Sequence, residues 1–218
     1  MTHNTDYQLI YIMFLVFDTE TSGLPTFTRR YPYGISGNDT CRLVQISWIL
    51  VSSDLEVLEK KTYLVKPKDF IISDGSYKIH GISNEHAQDH GVPVEVVLAD
   101  LERAMEGVHT IVAHNITFDV NVLKSECYRV QFTRLSRMVM TANRFCTMNK
   151  AKLLLSLTKN PKLSELYKML YDEDMQNAHD AEFDTHYCYM CFLQLVYIPA
   201  VNPVQVRVSS PKRKLASK

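Results

Sequence analysis

Residues 9–23 read LIYIMFLVFDTETSG, nine uninterrupted apolar side chains from Leu9 to Phe17 and then two carboxylates, Asp18 and Glu20, separated by one residue. A run of this length falls short of the roughly 20 residues needed to span a bilayer and suits a central strand covered on both faces. Side chains alternate along a strand, so Phe14, Val16, Asp18 and Glu20 share one face. Two like charges about 6 to 7 Å apart at a strand end repel each other. Partial burial raises their pKa values unless a cation neutralises them. A hard divalent ion such as Mg²⁺ or Mn²⁺ is the matching partner for carboxylate oxygens. The competing reading is a solvated strand-to-loop junction, where acids are common, and the pair alone does not decide between them.

With 218 residues, 46% hydrophobic and 22% charged, the chain suffices for one substantial core. The expected organisation is a single domain over residues 1–200, with a basic tail over 201–218. Of Cys41, Cys127, Cys146, Cys188 and Cys191, only Cys188 and Cys191 are three apart, in a helical pattern and without a second ligand pair, which argues for buried reduced thiols in an intracellular protein and against a zinc site. No export signal and no membrane segment are expected. Lysine and arginine balance aspartate and glutamate at 24 each. The last fifteen residues hold five basic and no acidic side chains, leaving 19 basic against 24 acidic elsewhere. A nucleic-acid partner would therefore need metals and local basic loops to offset the body's charge. The tail's PKRK reads either as a solvated end or as a nuclear import signal.

Leu24 to Thr40 has loop composition and interleaves Arg29 and Arg30 with Phe27, Tyr31 and Tyr33. Arginines for phosphate and aromatic faces for bases grip single strands; a solvated surface loop is the alternative. Arg42–Val51 and Glu56–Val65 read as a hairpin that forms a meander with the first strand. Ser83 caps a short helix closed by Gly91, and Pro93 starts a longer one with Val94, Val97, Leu98, Leu101 and Met105 inward. Val108–Ala113 reads as a strand, Thr117–Val130 as a helix, Arg144–Met148 as a strand and Lys162–Leu170 as an amphipathic helix. A last helix is expected over Ala178–Tyr197 with Asn177 as cap. Asp119 and Asp184 continue the apolar rows of their helices, where an unpaired carboxylate is costly. Meander followed by strand-helix alternation could bring Asp18, Glu20, Asp119 and Asp184 to one sheet edge. His179, about 140° around a helix from Asp184, suits a base acting on water there.

DTETSGLP at 18–25, HNITFD at 114–119 and HDAEFD at 179–184 resemble the three motifs of the DEDDh 3′-to-5′ exonucleases, the DnaQ-like family on the ribonuclease H-like fold. The similarity covers about residues 13–195, with RLVQISW at 42–48, HGIS at 80–83 and KLSELYKML at 162–170 in agreement. The resemblance implies an α/β fold with a central mixed five-stranded sheet flanked by helices. It implies two divalent ions, Mg²⁺ or Mn²⁺, held by Asp18, Glu20, Asp119 and Asp184, with His179 as general base. Leu24 matches the position that wedges beside the terminal base. Thr21, Gly23 and Asn115 match residues near the 3′ nucleotide, and His114 and Phe118 of the second motif join that substrate-binding set.

The implied partner is a nucleic acid with a free 3′ end, cut by a two-metal reaction to nucleoside 5′-monophosphates, with DNA favoured because DTETSGLP and RLVQISW look like the DNA-directed members. An exoribonuclease or a dual enzyme is the alternative. A binding protein that kept the fold and lost the chemistry is a reading of a different class, and it would be expected to lose a ligand or the base. No separate polymerase-binding segment is apparent, and oligomeric state is not legible.

Overall fold

The structure, a computed structural model, describes residues 13–25, 40–176 and 179–197. The expectations for Arg29, Arg30 and their loop, for residues 9–12, for Asn177 and for the basic tail lie outside the described residues.

The chain builds one mixed sheet from β1 (Met13–Thr21), β2 (Leu43–Val51), β3 (Val57–Leu64), β4 (Val108–Ala113) and β5 (Asn143–Cys146), in the order β3-β2-β1-β4-β5. β1, β2 and β3 pair antiparallel as the expected meander, and β4 and β5 add parallel to the other side of β1. The alternation along β1 sorts its side chains between two helical layers. Leu15 and Phe17 join a core with α3 (Val94–Ala104) and α4 (Thr117–Arg129). Phe14 and Val16 point the other way into a core with α8 (Ala181–Tyr197), where Phe14 lies 5.2 Å from the Phe192 ring. The expected inward row of α3 is buried throughout. All five cysteines are free thiols, and no described helix is long and apolar enough to cross a membrane.

Local departures have identifiable causes. The strand expected to end at Met148 stops at Cys146. Thr147 is fully buried, with its hydroxyl against His114 Nδ1 (2.9 Å) and the Ala113 carbonyl, and it opens α6 (Thr147–Leu154). The last helix begins at Ala181 because His179 has a φ of +70°, a left-handed conformation that a right-handed helix excludes. The Asp180 carboxylate then accepts the Glu182 N–H (2.9 Å) as the helix cap. Helices α1 (Asp74–His80), α5 (Thr133–Thr141) and α6 add to the elements expected from the sequence, whereas α2 (Asn84–His90) and α7 (Leu163–Tyr171) match them. None of α1's residues is buried; the Ser73 hydroxyl accepts from Ser76 N–H, and Gly81 closes the helix at φ +73°.

At the end of the sheet where β1 finishes, the α4 layer buries Glu126 at 1% exposure. Its carboxylate accepts Leu43 N–H (3.0 Å), Arg42 Nε (2.9 Å), Arg42 Nη2 (3.3 Å) and Arg129 Nη1 (3.0 Å). The Arg42 guanidinium also lies over the Phe70 ring, 4.6 Å from its centroid.

Candidate active site

β1 outruns β4. The last residue of β1 paired with β4 is Val16, opposite Val112, whereas pairing with β2 continues through Asp18 opposite Ser47 and Glu20 opposite Gln45. The backbone beside Asp18 and Glu20 is thereby left open on one flank, where the turn His114–Asn115–Ile116 leads from β4 into α4. The two acids therefore end a buried strand at a notch in the sheet.

Asp119 comes from the first turn of α4 and is 2% exposed. Its Oδ1 accepts from the backbone N–H of Thr19 (3.1 Å) and from the Thr19 hydroxyl (2.8 Å). Thr19 sits between the two acids and, by strand alternation, faces α4 instead of α8. Asp184 arrives from the opposite layer, in the first turn of α8. The α8 start is fixed beside Glu20 by Gln45 Oε1, which accepts Ala181 N–H (3.0 Å). Asp184 Oδ2 accepts the backbone N–H of His179 (3.2 Å), and its Oδ1 is buried without a partner among the described residues. Ligand atoms of Glu20, His179 and Asp184 lie within 4.8 Å of one another.

A cleft of about 570 Å³ gathers Asp18, Glu20, Asp119, Asp184 and His179 on one lining, with His114, Asn115 and Phe118 beside them. Its far wall includes Met148, Pro161, Lys162 and Met175. Thr21, the last residue of β1, and Gly23 and Leu24 just beyond it do not line this cleft. Thr21 is buried and its hydroxyl donates to the Gly23 carbonyl (3.0 Å). A Cβ on Gly23 would meet the Thr40 carbonyl oxygen at 2.4 Å, so only glycine permits that approach. Leu24 projects freely, 78% exposed. His114 spends both ring nitrogens inside the protein, on Thr147 Oγ1 and on the Pro161 carbonyl (3.1 Å). Burial pushes its pKa down to about 4, with the Pro161 contact opposing. The neutral ring therefore donates from Nε2 to the carbonyl and accepts the Thr147 hydroxyl at Nδ1. In this arrangement His114 fastens the far wall to β4.

The cluster holds more negative charge than its surroundings can answer. Burial, then repulsion from Asp119, Asp184 and Glu20, drives the Asp18 carboxyl well above the usual carboxylate range. Burial, then Asp184 and Asp119, lifts Glu20 to about 8. Asp119 is raised by burial against the opposing bonds from Thr19, and Asp184 by burial against the N–H of His179. Hard oxygen donors from two helical layers, mutual repulsion and an orphaned Oδ1 together form a donor set that fits divalent cations.

Sequence reasoning missed Thr19, Gln45, Pro161 and Lys162. Thr19 carried a signal in its place between two same-face acids, which commits it to the other face. The others gave none, since their roles arise from contacts across the fold.

A mixed sheet whose central strand ends in clustered carboxylates beside a histidine, with helices on both faces, is the framework of an exonuclease domain. The chain belongs to the exonuclease family: the family model RNase_T, described as exonuclease, matches residues 15–192. Among solved structures, it is similar to Escherichia coli exonuclease I in complex with a dT13 oligonucleotide, at 22% identity and a TM-score of 0.67 over 85% of this chain and 41% of that one. The zinc-bound form of the E. coli exonuclease I complex with single-stranded DNA gives 23% identity and a TM-score of 0.67 over 85% and 40%. Exonuclease I from Methylocaldum szegediense gives 21% identity and a TM-score of 0.65 over 85% and 40%. The chain thus spans about two fifths of the length of the exonuclease I chains it matches. None of the curated proteins matches it.

Proposed function

We propose that this protein is a metal-dependent 3′-to-5′ exonuclease that hydrolyses the terminal phosphodiester of DNA and releases nucleoside 5′-monophosphates. The observation that carries this reading is the convergence of Asp18, Glu20, Asp119 and Asp184 with His179 on one cleft, with Asp184 Oδ1 left without a partner. Asp18, Glu20, Asp119 and Asp184 would hold two divalent ions, Mg²⁺ or Mn²⁺. When bound, such ions supply Lewis-acid charge stabilisation at the phosphodiester undergoing displacement.

The chain's own groups do the rest. His179 stands exposed at the cleft mouth, its backbone tied to Asp184, and its imidazole takes the proton from the attacking water. His179 holds a left-handed backbone at φ +70°, and its ring reaches within 4.8 Å of ligand atoms of Glu20 and Asp184; strain of this kind collects at functional sites. Asn115, also left-handed at φ +62°, and Phe118 offer a polar group and an aromatic face to the terminal nucleotide. The preference for DNA is supported by the fold's likeness to E. coli exonuclease I, which has been crystallised with dT13 and dA16 oligonucleotides.

Digestion of 5′-labelled DNA and RNA, single- and double-stranded, with and without Mg²⁺ or Mn²⁺, tests the proposal. A ladder shortening from the 3′ end, seen only with metal and faster on DNA, is expected. Products that shorten from the labelled end would overturn the polarity, and RNA cut faster than DNA would overturn the substrate class.

A further inference from the structure

A second concave site lies on the α4 side of the same sheet end. It is a pocket of about 450 Å³ between the segment after β3, the start of α3 and the end of α4. Four cationic side chains line it, Arg42, Arg129, Lys66 and Lys68, against Asp69, Glu95 and Glu126. Glu126 is matched by both arginines, and four cations against three carboxylates leave the lining one positive charge in excess, in a chain whose body is otherwise acidic. The helix ends do not decide the sign, because α3 presents its positive end and α4 its negative end. Lys66 and Lys68 are exposed and form no ion pair among the described residues. Arg42 is held rigidly, 13% exposed, between Glu126 and the Phe70 ring, and its Nη1 is not spent on Glu126.

The pocket is continuous with the strand that bears the carboxylates. Ser22 N–H donates to the Arg42 carbonyl (2.9 Å), Arg42 N–H donates to the Ser22 hydroxyl (3.0 Å), and Thr21 pairs with Leu43. Ser73 N–H donates to the Ser22 carbonyl (3.0 Å), which brings the residues after Phe70 against the same ridge. Leu24 and Ile71, each two residues from one of these bonded serines, form the ridge's exposed apolar part, at 78% and 77% exposure. Cationic side chains attract the phosphates of a single strand, and exposed aliphatic side chains beside them offer apolar surface for its bases to cover.

Building on the exonuclease reading, we propose that this pocket is a second docking point for the strand being digested. Lys66, Lys68 and Arg42 bind backbone phosphates several nucleotides from the 3′ end, and the Leu24–Ile71 ridge bears the bases between. The pocket then sets affinity for long strands and leaves the chemical step to the cleft.

The test uses the full chain and the double variant K66E/K68E, two exposed positions. Binding of a fluorescent single strand of roughly 20 nucleotides, longer than one small binding site covers, is measured by anisotropy without Mg²⁺ across a salt series. The variant is expected to bind about 10- to 100-fold more weakly at low salt. The slope of log affinity against log salt should fall by about 1.4, at roughly 0.7 per phosphate contact on single strands. Hydrolysis of a dinucleotide, which fills the cleft alone, should keep its rate, whereas KM for the long strand rises and kcat holds. An unchanged salt slope would overturn the proposal, as would an equal loss on the dinucleotide. An equal loss from K60E/K152E, on the α8 side, would reduce it to nonspecific attraction and overturn it too. If the unaltered chain neither binds nor cuts DNA, the exonuclease reading itself has failed; if it does both and K66E/K68E matches it, only this inference has.

Discussion

Glu126 and Asp184 are carboxylates drawn into the protein at the same end of the sheet, one from each helical layer, and the chain answers the charge of only one. Glu126 accepts four donors, three from guanidinium groups. Asp184 receives a single backbone N–H from His179, has one oxygen with no partner, and faces Asp18 and Glu20. A buried charge matched by its own chain is architecture, and breaking such a pair is expensive. A group of buried charges left unmatched marks where something from outside completes the structure.

The sharpest way to break this contrast is to delete a carboxylate on each side. Asp184→Ala or Asp18→Ala should take hydrolysis to background while leaving metal-free thermal stability unchanged or raised, since repulsion is relieved. Near-normal turnover in a clean preparation would sink the assignment. His179→Ala should slow hydrolysis by roughly 10²- to 10⁴-fold, the usual contribution of a general base, and should change the pH–rate profile; an unaltered profile would remove the histidine from that role. Glu126→Ala should do the reverse of Asp184→Ala. It strands two arginines and costs about 3 to 5 kcal/mol of stability, a fall of about 10 °C in Tm for a chain of this size. A Tm within a degree or two of the parent would refute the claim that this carboxylate is structural.

Acidity separates the two sites further. Glu20 binds its proton more tightly folded than unfolded, its pKa being raised from 4.5 to about 8, and Asp18 and Asp184 shift the same way. The folded state thus holds more protons than the unfolded one across that window, and these groups cost stability as pH rises through it. A divalent cation competes with those protons, so the gain in Tm on adding Mg²⁺ should be larger at pH 8 than at pH 6. An equal gain at both would mean that the cation binds elsewhere.

The smallest effect belongs to Asp100 on the α3 face. Burial pushes its carboxyl up, but bonds from Lys61, Arg103 and Tyr63 outweigh this and hold it at about 2. Its contribution is present above the ordinary carboxylate pKa and lost as pH falls through 2. Being partly exposed, it should cost less than about 1 kcal/mol in Asp100→Asn; a loss as large as that of Glu126→Ala would show the network to be part of the core.

Much of this was readable beforehand because it is written in short-range pattern. The charged end of β1, the inward row of α3 and the places of Asp119 and Asp184 on their helices follow from periods of two and 3.6 residues. What escaped depends on distance in the chain. Glu126 looks like any helical glutamate until Arg42 and Leu43, 84 and 83 residues away, come to meet it. The bond between Thr19 and Asp119 requires knowing that α4 covers the face away from Asp18. Helix α1 buries nothing and leaves no periodic trace, and α5 buries only Leu135 and Val139. The left-handed turn at His179 is a backbone choice that composition does not announce.

That Asp119 and Asp184 descend from opposite sides of one strand has a bearing on how such a chain is made. Strand β1 and helix α4 leave the ribosome well before α8, so a nascent chain can seat Asp18, Glu20 and Asp119 while His179 and Asp184 are still to come. Until the last helix docks, the cluster lacks two of its five side chains, so the site is assembled only with the completion of folding.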